Sequence, residues 1–328
     1  MGAGMAITGC GSAAPESVLT NDHLAQMVET SDEWIATRTG MKNRHIASPS
    51  ESLSQLSAVA ANKAIAMAGI SALEIDLIIL ATSTPDDMFG SACKVQGLIG
   101  ATNAVAFDLT AACSGFLFAL VTASQFISSG VYHNVLVIGA DVLSRWVDWS
   151  DRTSCILFGD GAGAAVCQKA ENNRLLSFGM YSNGSQNDSL NLNYRGESKP
   201  LIADIAAQNG TYDPITMNGR EVYRFAVAKV PEAISKAMFQ ANLTADDIDW
   251  LLLHQANQRI MDAVAKRLKI PQSKILSNIA EYGNTSAASI PLALDAAIAD
   301  GRVKPGDTIA ASGFGAGLTW GAAIFKWG

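Results

Sequence analysis

Two stretches of this 328-residue chain repeat each other roughly 170 residues apart, and no other feature limits the possible folds so much. Gly69-Ile-Ser-Ala-Leu-Glu-Ile-Asp-Leu-Ile-Ile-Leu80 has a counterpart in Asn242-Leu-Thr-Ala-Asp-Asp-Ile-Asp-Trp-Leu-Leu-Leu253. Ser129-Gly-Val-Tyr-His-Asn-Val-Leu-Val-Ile-Gly139 corresponds in the same way to Asp300-Gly-Arg-Val-Lys-Pro-Gly-Asp-Thr-Ile-Ala310, and Gly161-Ala-Gly163 is echoed by Gly315-Ala-Gly317. The chain therefore reads as two copies of one α/β unit packed on each other, residues 1–171 and 172–328, with a site where the halves meet.

Within the first copy, Met5 to Gly9 predicts a short strand, and Thr30-Ser-Asp-Glu33 a capping box for the helix that carries Trp34 and Arg38. Ser54 to Ala68 predicts a helix ended by Gly69, and Ile75 to Ala81 a strand buried on both faces. A helix near Val95, strands at 104–109 and 135–139, and a helix from Phe116 to Ser128 complete the unit. Cys155 to Phe158 and Ala164 to Cys167 predict two antiparallel strands around a tight turn, Gly159-Asp-Gly-Ala-Gly163. Gly313-Phe-Gly-Ala-Gly317 predicts another; both lead into apolar strands and lack the Gly-Lys-Ser/Thr ending of a phosphate-binding loop. Residues 172–216 are polar and turn-rich and separate the halves.

A formal net charge of −7 argues against a nucleic-acid surface, because polyphosphate binding needs a basic field. Five cysteines, Cys10, Cys93, Cys113, Cys155 and Cys167, include no CxxC pair and fit neither a disulfide framework nor a metal site. They point to a reducing compartment, and the N-terminal residues lack the basic start and apolar core of a signal peptide. The expected location is cytoplasmic, or the plastid stroma if a transit segment has been removed. Leu109 to Ala140 contains no Asp, Glu, Lys or Arg, yet its apolar runs break at Ser114, Thr122, Ser124 and Ser128, short of the ~20 residues a bilayer requires. A buried helix followed by a buried strand is the expectation, with no membrane partner.

In Asp108-Leu-Thr-Ala-Ala-Cys113-Ser-Gly115, the cysteine stands where a loop becomes the first turn of the Phe116 helix. Unpaired N–H groups and the helix dipole there stabilise negative charge and lower a thiol's pKa, and a thiolate is the form that attacks thioesters. A small buried hydrophobe explains Cys113 equally well on this octapeptide alone. His254 directly follows the strand Asp249 to Leu253 and emerges at its carboxyl end, where open α/β sheets present their sites. Asn284 lies in Glu281-Tyr-Gly-Asn-Thr-Ser-Ala, the turn before the helix Ile290 to Ala299, which matches the Cys113 turn of the first copy. Singly, His254 fits a satisfied structural histidine and Asn284 a turn residue. Together, the three converge from the two halves.

Ala112-Cys113-Ser-Gly115-Phe, His254-Gln-Ala-Asn257, Gly283-Asn284-Thr-Ser-Ala and Gly313-Phe-Gly-Ala-Gly317 resemble, in order and spacing, β-ketoacyl-acyl-carrier-protein synthase III. The likeness runs from Ile7 to Trp327 and is strongest toward cyanobacterial and plastid members, as in Thr84-Pro-Asp-Asp-Met-Phe-Gly90 and Ser144-Arg-Trp-Val-Asp-Trp149. The resemblance implies a thiolase-like α/β fold of two duplicated halves in layered αβαβα order, a homodimer, and a Cys113–His254–Asn284 site without metal or cofactor. It implies decarboxylative condensation of a short acyl-CoA, acetyl-CoA by default, with malonyl-acyl-carrier protein. Cys113 would be acylated, the oxyanion held by the N–H groups of Cys113 and Ala316, and the malonyl carbonyl hydrogen-bonded by His254 and Asn284. The family usually has glycine at position 316; alanine keeps the N–H.

By the same likeness Trp34, Arg38 and Arg152 bind the CoA adenine, the indole and a guanidinium sandwiching the base. Thr30, Gly219 and Asn257 line the pantetheine channel, and Phe89 closes the acyl pocket from a loop that reaches across the dimer. Arg224, Gln255 and Arg259 match carrier-docking positions. Residues 195–274 hold 11 basic against 9 acidic residues and the remainder 12 against 21, the bias an acidic carrier requires, although scattered surface charge explains it almost as well. Plant-type polyketide synthases carry proline where this chain has Ala316, and thiolases need a second cysteine near the C-terminal turn, whereas the last cysteine here is Cys167. A 3-hydroxy-3-methylglutaryl-CoA synthase requires a catalytic glutamate that finds no place in the sequence. A polyketide-type condensing enzyme with another extender and a non-catalytic acyl-CoA or carrier-binding scaffold remain the alternatives.

Overall fold

The computed structural model describes residues 4–328. The main strands of the first half are β1 (Gly4–Ala13), β2 (Leu77–Ala81), β3 (Val105–Leu109), β4 (Asn134–Val142) and β5 (Asp160–Ala170). They form one sheet in the order β1-β5-β4-β2-β3, in which β2 runs parallel to β3 and β4 while β5 is antiparallel to β4 and β1. The second half supplies β6 (Leu175–Ser182), β9 (Trp250–Leu253), β10 (Ile275–Leu276), β11 (Thr308–Gly315) and β12 (Thr319–Lys326). Their order is β6-β12-β11-β9-β10 with the same succession of antiparallel and parallel neighbours. The sequence repeat is thus a repeat of topology.

Helices α1 (Asp32–Thr39), α2 (Leu53–Ala68), α3 (Ala92–Ile99) and α4 (Gly115–Ser128) belong to the first half, and α5 (Gly219–Gln240), α6 (Gln258–Leu268) and α7 (Ser289–Ala299) to the second. Alternation along β2 sets the layers, since successive side chains leave a strand on opposite faces. Leu77 and Ile79 pack with Phe116 and Leu120 of α4, Ile290 and Leu294 of α7, and Leu252, Ile309 and Phe325 of the second sheet. Ile78 and Leu80 face α2 and α3 through Leu56, Ile65 and Val95. The outer face of the second sheet packs on α5 and α6 through Leu251, Leu253, Ile234 and Val264. The result is αβαβα, with the uncharged helix α4 in the doubly covered middle layer. Each such aliphatic side chain contributes about 1.5–3 kcal/mol of burial.

Three local expectations fail for stated reasons. The cap of α1 is Ser31, whose side chain accepts from Trp34 N at 3.1 Å, so the capping box from Thr30 does not form. Gly159–Gly163 is not a turn between two strands: Arg152–Cys155 is helical, and β5 begins at Asp160 and runs straight through Gly161 and Gly163. They are needed for close approach rather than for turning, because a Cβ on Gly163 would stand 2.7 Å from the Pro291 ring on α7. Likewise β11 continues through Gly313 to Gly315, and only residues 316–318 turn into β12. The polar region 172–216 contains β6 and an exposed hairpin, β7 (Tyr194–Ile202) with β8 (Ile205–Tyr212), which shows no apolar face for the sequence to reveal.

Candidate active site

Cys113 lies in a short 3-10 turn, Ala112–Ser114, between β3 and α4. Ala112 takes a positive φ of 47° to make it. Ser114 Oγ donates to Thr319 O at 3.0 Å and Thr319 Oγ1 donates to Ala111 O at 3.0 Å, which clamp the turn onto β12. On its other side stands Gly315, where a Cβ would come within 2.6 Å of Cys113 N. Backbone of the second half therefore reaches the cysteine that the first half supplies.

The second half makes the same turn at Ser286–Ala288, with Ser286 at φ 51°, just before α7. Residues 284–289 touch all three expected groups. Asn284 Oδ1 accepts from Ser286 N at 2.9 Å, and its backbone is pinned between Leu157 O and Gly159 N. Ser286 Oγ lies 3.3 Å from Cys113 Sγ. Ser289 Oγ lies 2.7 Å from His254 Nδ1 and accepts from Gln255 N at 3.3 Å. The Ser289 hydroxyl thus lies between the Gln255 amide and Nδ1 and fixes the orientation of the imidazole. The His254 ring packs edge-to-face on Phe314 at 5.3 Å between centroids. Burial lowers its pKa to about 3, so the imidazole is neutral at physiological pH.

Burial opposes the activation of the thiol expected from the helix end. Burial, with a smaller push from the charge of Asp141 and only partial compensation by the Ser286 hydroxyl, drives Cys113 from its usual 9.0 up to about 12. Asp141, at 0% exposure, accepts from Thr82 Oγ1 (3.1 Å), Ser83 N (2.8 Å) and Thr84 Oγ1 (3.0 Å) on one oxygen and from Ala287 N (3.2 Å) on the other. It ties the end of β2 to the turn of the opposite half, and burial pushes its own pKa up. The sequence reading missed Asp141, Ser286, Ser289 and Phe314; a lone carboxylate in an otherwise apolar strand was the available signal.

A cavity of about 970 Å³ opens at the thiol. Cys113, Ser286 and Ala316 line it, and Leu143, Trp146, Phe158, Leu190 and Ile215 give it apolar walls. Phe89 stands at its rim with 101% exposure, uncovered by this chain. The guanidinium carbons of Arg38 and Arg152 lie 4.5 and 4.9 Å from the centre of the Trp34 ring. Arg152 is also held by Glu29 O at 2.8 Å, so a base sandwiched against Trp34 would first have to displace it. The Thr30 hydroxyl is buried without a partner, and Asn257 caps α6 through Arg259 N while its Nδ2 donates to Arg38 O at 3.1 Å. Gly219 borders a second cavity of about 600 Å³ beside Thr153 and Asp188.

Of the three expected docking residues, Arg224 is exposed on α5, and Arg259 folds back onto Thr37 O at 2.9 Å. Gln255 cannot meet a carrier: it is wholly buried, donating to Leu253 O (2.6 Å) and Leu276 O (3.2 Å) and accepting from Asn278 N (3.3 Å). Among the described residues no group of three or more His, Cys, Asp or Glu side chains is placed to hold a metal ion, and no helix is long and apolar enough to cross a membrane.

Comparison with known proteins agrees with this geometry. The family model of 3-oxoacyl-[acyl-carrier-protein] synthase III matches residues 107–184, and that of its C-terminal part residues 238–327. A β-ketoacyl-[acyl-carrier-protein] synthase III of Microcystis aeruginosa is 67% identical over 328 residues, covering 100% of this chain and 98% of the relative. Among solved structures, the 3-oxoacyl-[acyl-carrier-protein] synthase III of Aquifex aeolicus superposes with a TM-score of 0.90 at 44% identity, over 99% of this chain and 100% of that one. The priming β-ketosynthase of the R1128 polyketide pathway superposes with a TM-score of 0.91 at 32% identity, over 99% and 97%.

Proposed function

The chain belongs to the β-ketoacyl-acyl-carrier-protein synthase III family, the acyltransferases that initiate fatty acid biosynthesis, and from that premise we propose how its residues share the work. Cys113 accepts the acyl group of a short acyl-CoA, acetyl-CoA by default, and the N–H groups of Cys113 and Ala316 receive the oxyanion as CoA departs. Malonyl-acyl-carrier protein then presents its thioester carbonyl to His254 Nε2 and Asn284 Nδ2. Loss of CO₂ leaves an enolate there, which two neutral donors stabilise without a strong base, and its carbon attacks acyl-Cys113 to give 3-ketoacyl-carrier protein. These steps use side chains and backbone N–H groups alone, with acyl-CoA as substrate rather than cofactor.

The observation that carries this reading is the Cys113 thiol lining a largely apolar cavity together with Ala316, with a neutral His254 held through the neighbouring turn. The thiolase-like halves, 1–171 and 172–328, each give one turn to the site. Trp34, Arg38 and Arg152 receive the CoA nucleotide after Arg152 moves aside, with Thr30, Gly219 and Asn257 along the approach. Arg224 and Arg259 receive the carrier. A homodimer is supported by β3, an edge strand whose Val105 (52%) and Phe107 (36%) are exposed, and by Phe89, which needs a cover. The reaction takes place in the cytoplasm, or in the plastid stroma for a plastid protein.

The test is intact-protein mass after mixing with a panel of acyl-CoAs, then a chase with malonyl-carrier protein. An adduct mapping to Cys113 that disappears as 3-ketoacyl-carrier protein forms is expected, and the acyl-CoA that loads fastest names the starter. An adduct that only hydrolyses would favour a different extender, as in a polyketide pathway. No adduct with any acyl-CoA would favour a binding scaffold.

A further inference from the structure

Arg44 is a wholly buried arginine for which the steps above have no use. Its hydrogen bonds go to neutral oxygens: Nε (3.0 Å) and Nη2 donate to Ile156 O, and Nη1 donates to Asn21 Oδ1 (2.6 Å) and Lys42 O (3.2 Å). Asp32 joins this network through Asn21, whose Nδ2 donates to Asp32 Oδ1 at 2.7 Å. Taking a guanidinium out of water is costly, and an apolar side chain of like volume would cost less, so what Arg44 contributes is an arrangement rather than stability. That arrangement surrounds Asn284. Leu157 O accepts from Asn284 N at 2.9 Å and Gly159 N donates to Asn284 O at 3.0 Å, which makes Phe158 and Asn284 a parallel bridge directly after Ile156. The stem of Arg44 fills the gap beside the bridge: a Cβ on Gly159 would stand 3.3 Å from Arg44 Cβ, and one on Gly283 3.3 Å from Arg44 Cγ. Its neighbours grip the approach to the same turn, since Asn43 Nδ2 donates to Glu281 Oε2 at 3.0 Å and the His45 ring stacks on Tyr282 at 5.0 Å between centroids.

We infer that Arg44 is the positioning residue for Asn284: by holding Ile156 O with two N–H groups and filling the space between Gly159 and Gly283, it sets the backbone from which the Asn284 amide meets the malonyl thioester. The amide has little freedom of its own. With Oδ1 accepting from Ser286 N at 2.9 Å, its plane follows the backbone on which it stands, so a shift of residues 156–159 turns Nδ2 away from its target. The Cys113 turn is clamped by Thr319 instead, which leaves acylation independent of Arg44. Arg44 touches no reacting atom and acts through Asn284 alone.

This rests on the role proposed for Asn284 in condensation, and the two ideas fail differently. Arg44→Lys keeps the charge and most of the stem but loses the planar fork that reaches Ile156 O and Asn21 Oδ1 together. Single-turnover condensation of acetyl-Cys113 with malonyl-carrier protein is expected to slow about tenfold in Arg44→Lys, while acylation by acetyl-CoA stays within about threefold of wild type. Arg44→Met should deepen the same split. In the Asn284→Ala background Arg44→Lys should cost nothing further, because a residue that acts through the amide then has nothing left to position. Equal losses in both half-reactions, an additive loss in the double variant, or wild-type condensation in Arg44→Lys would overturn the positioning role. Failure of both Arg44 variants to fold would overturn it too, by making the residue a structural one. Unchanged condensation in Asn284→Ala would instead overturn the reading of Asn284 on which it rests.

Discussion

Alkylation of Cys113 as a function of pH separates two opposed views of its activation. A thiol activated by the helix end reacts at a rate that levels off below pH ~7.5, whereas one governed by burial keeps accelerating. The shift from 9.0 to about 12 is a thousandfold change in acidity, and about 4 kcal/mol between the protonation states. The free thiolate fraction at pH ~7.5 is then only about 10⁻⁴ to 10⁻⁵. The assay is iodoacetamide labelling read by peptide mass between about pH 6 and about pH 10, with exposed Cys93 as the internal reference. Because burial also slows access, the shape of the profile matters more than the absolute rate: a tenfold rise per pH unit without a plateau is expected. In Asp141→Asn the profile should move to lower pH, since the Asp141 charge pushes the thiol in the same direction as burial. A plateau below pH ~8 in wild type would refute the reasoning.

Replacing His254 or Asn284 by alanine should cost about 10²–10³ in condensation, the usual price of an aimed donor at a developing oxyanion, while acylation by acetyl-CoA falls much less; separate single-turnover assays check the split. Phe107→Asp, on the exposed edge strand, should convert a dimer to monomer in light scattering behind size exclusion. Gly315→Ala should abolish acylation, because its Cβ would stand 2.6 Å from Cys113 N and 3.1 Å from the Cβ atoms of Cys113 and Ala112, none of them a flexible chain end. Wild-type adduct formation in that variant, with an unchanged melting temperature, would contradict the role given to the Cys113 N–H.

What the sequence showed best was whatever repeats or ends a strand. The doubled run at Leu80 and Leu253 foretold both the common strand order and the place of His254, because a buried parallel strand must be apolar and must stop where its sheet does. The rest depends on contacts between the halves. Gly163 looks like a turn residue until Pro291 of α7 is seen against it, and the polar β7–β8 hairpin has no buried face to betray it. Gln255 adjoins His254 in a site motif, yet its amide is spent on Leu253, Leu276 and Asn278. Ser286 and Ser289 lie inside a recognisable turn, but only folding decides which of its hydroxyls meets Cys113 and which meets His254.

The duplication also explains why only one of two equivalent turns carries the proposed nucleophile. Cys113 and Ala287 hold the same place in the turns before α4 and α7, each after a residue of positive φ. Strand pairing matches Gly139 with Gly313, three residues beyond the Ala310 that the sequence repeat suggested; the two glycines face the carbonyls of Ala287 and Cys113, so Asp141 and Gly315, two further on, are counterparts as well. Their difference decides the chemistry. Asp141 fills the space before Ala287 N and accepts its N–H in a 3.2 Å hydrogen bond, so that N–H cannot receive an oxyanion. Gly315 has no side chain to place before Cys113 N, and that N–H stays within reach of a reacting carbonyl. The capped turn gains a different use: fixed by Asp141, it holds Ser286 against the sulfur and Ser289 against the imidazole. In the proposed mechanism one half thus keeps the reacting sulfur and its N–H, and the other, its own opening filled by Asp141, supplies the hydroxyls beside Cys113 and His254.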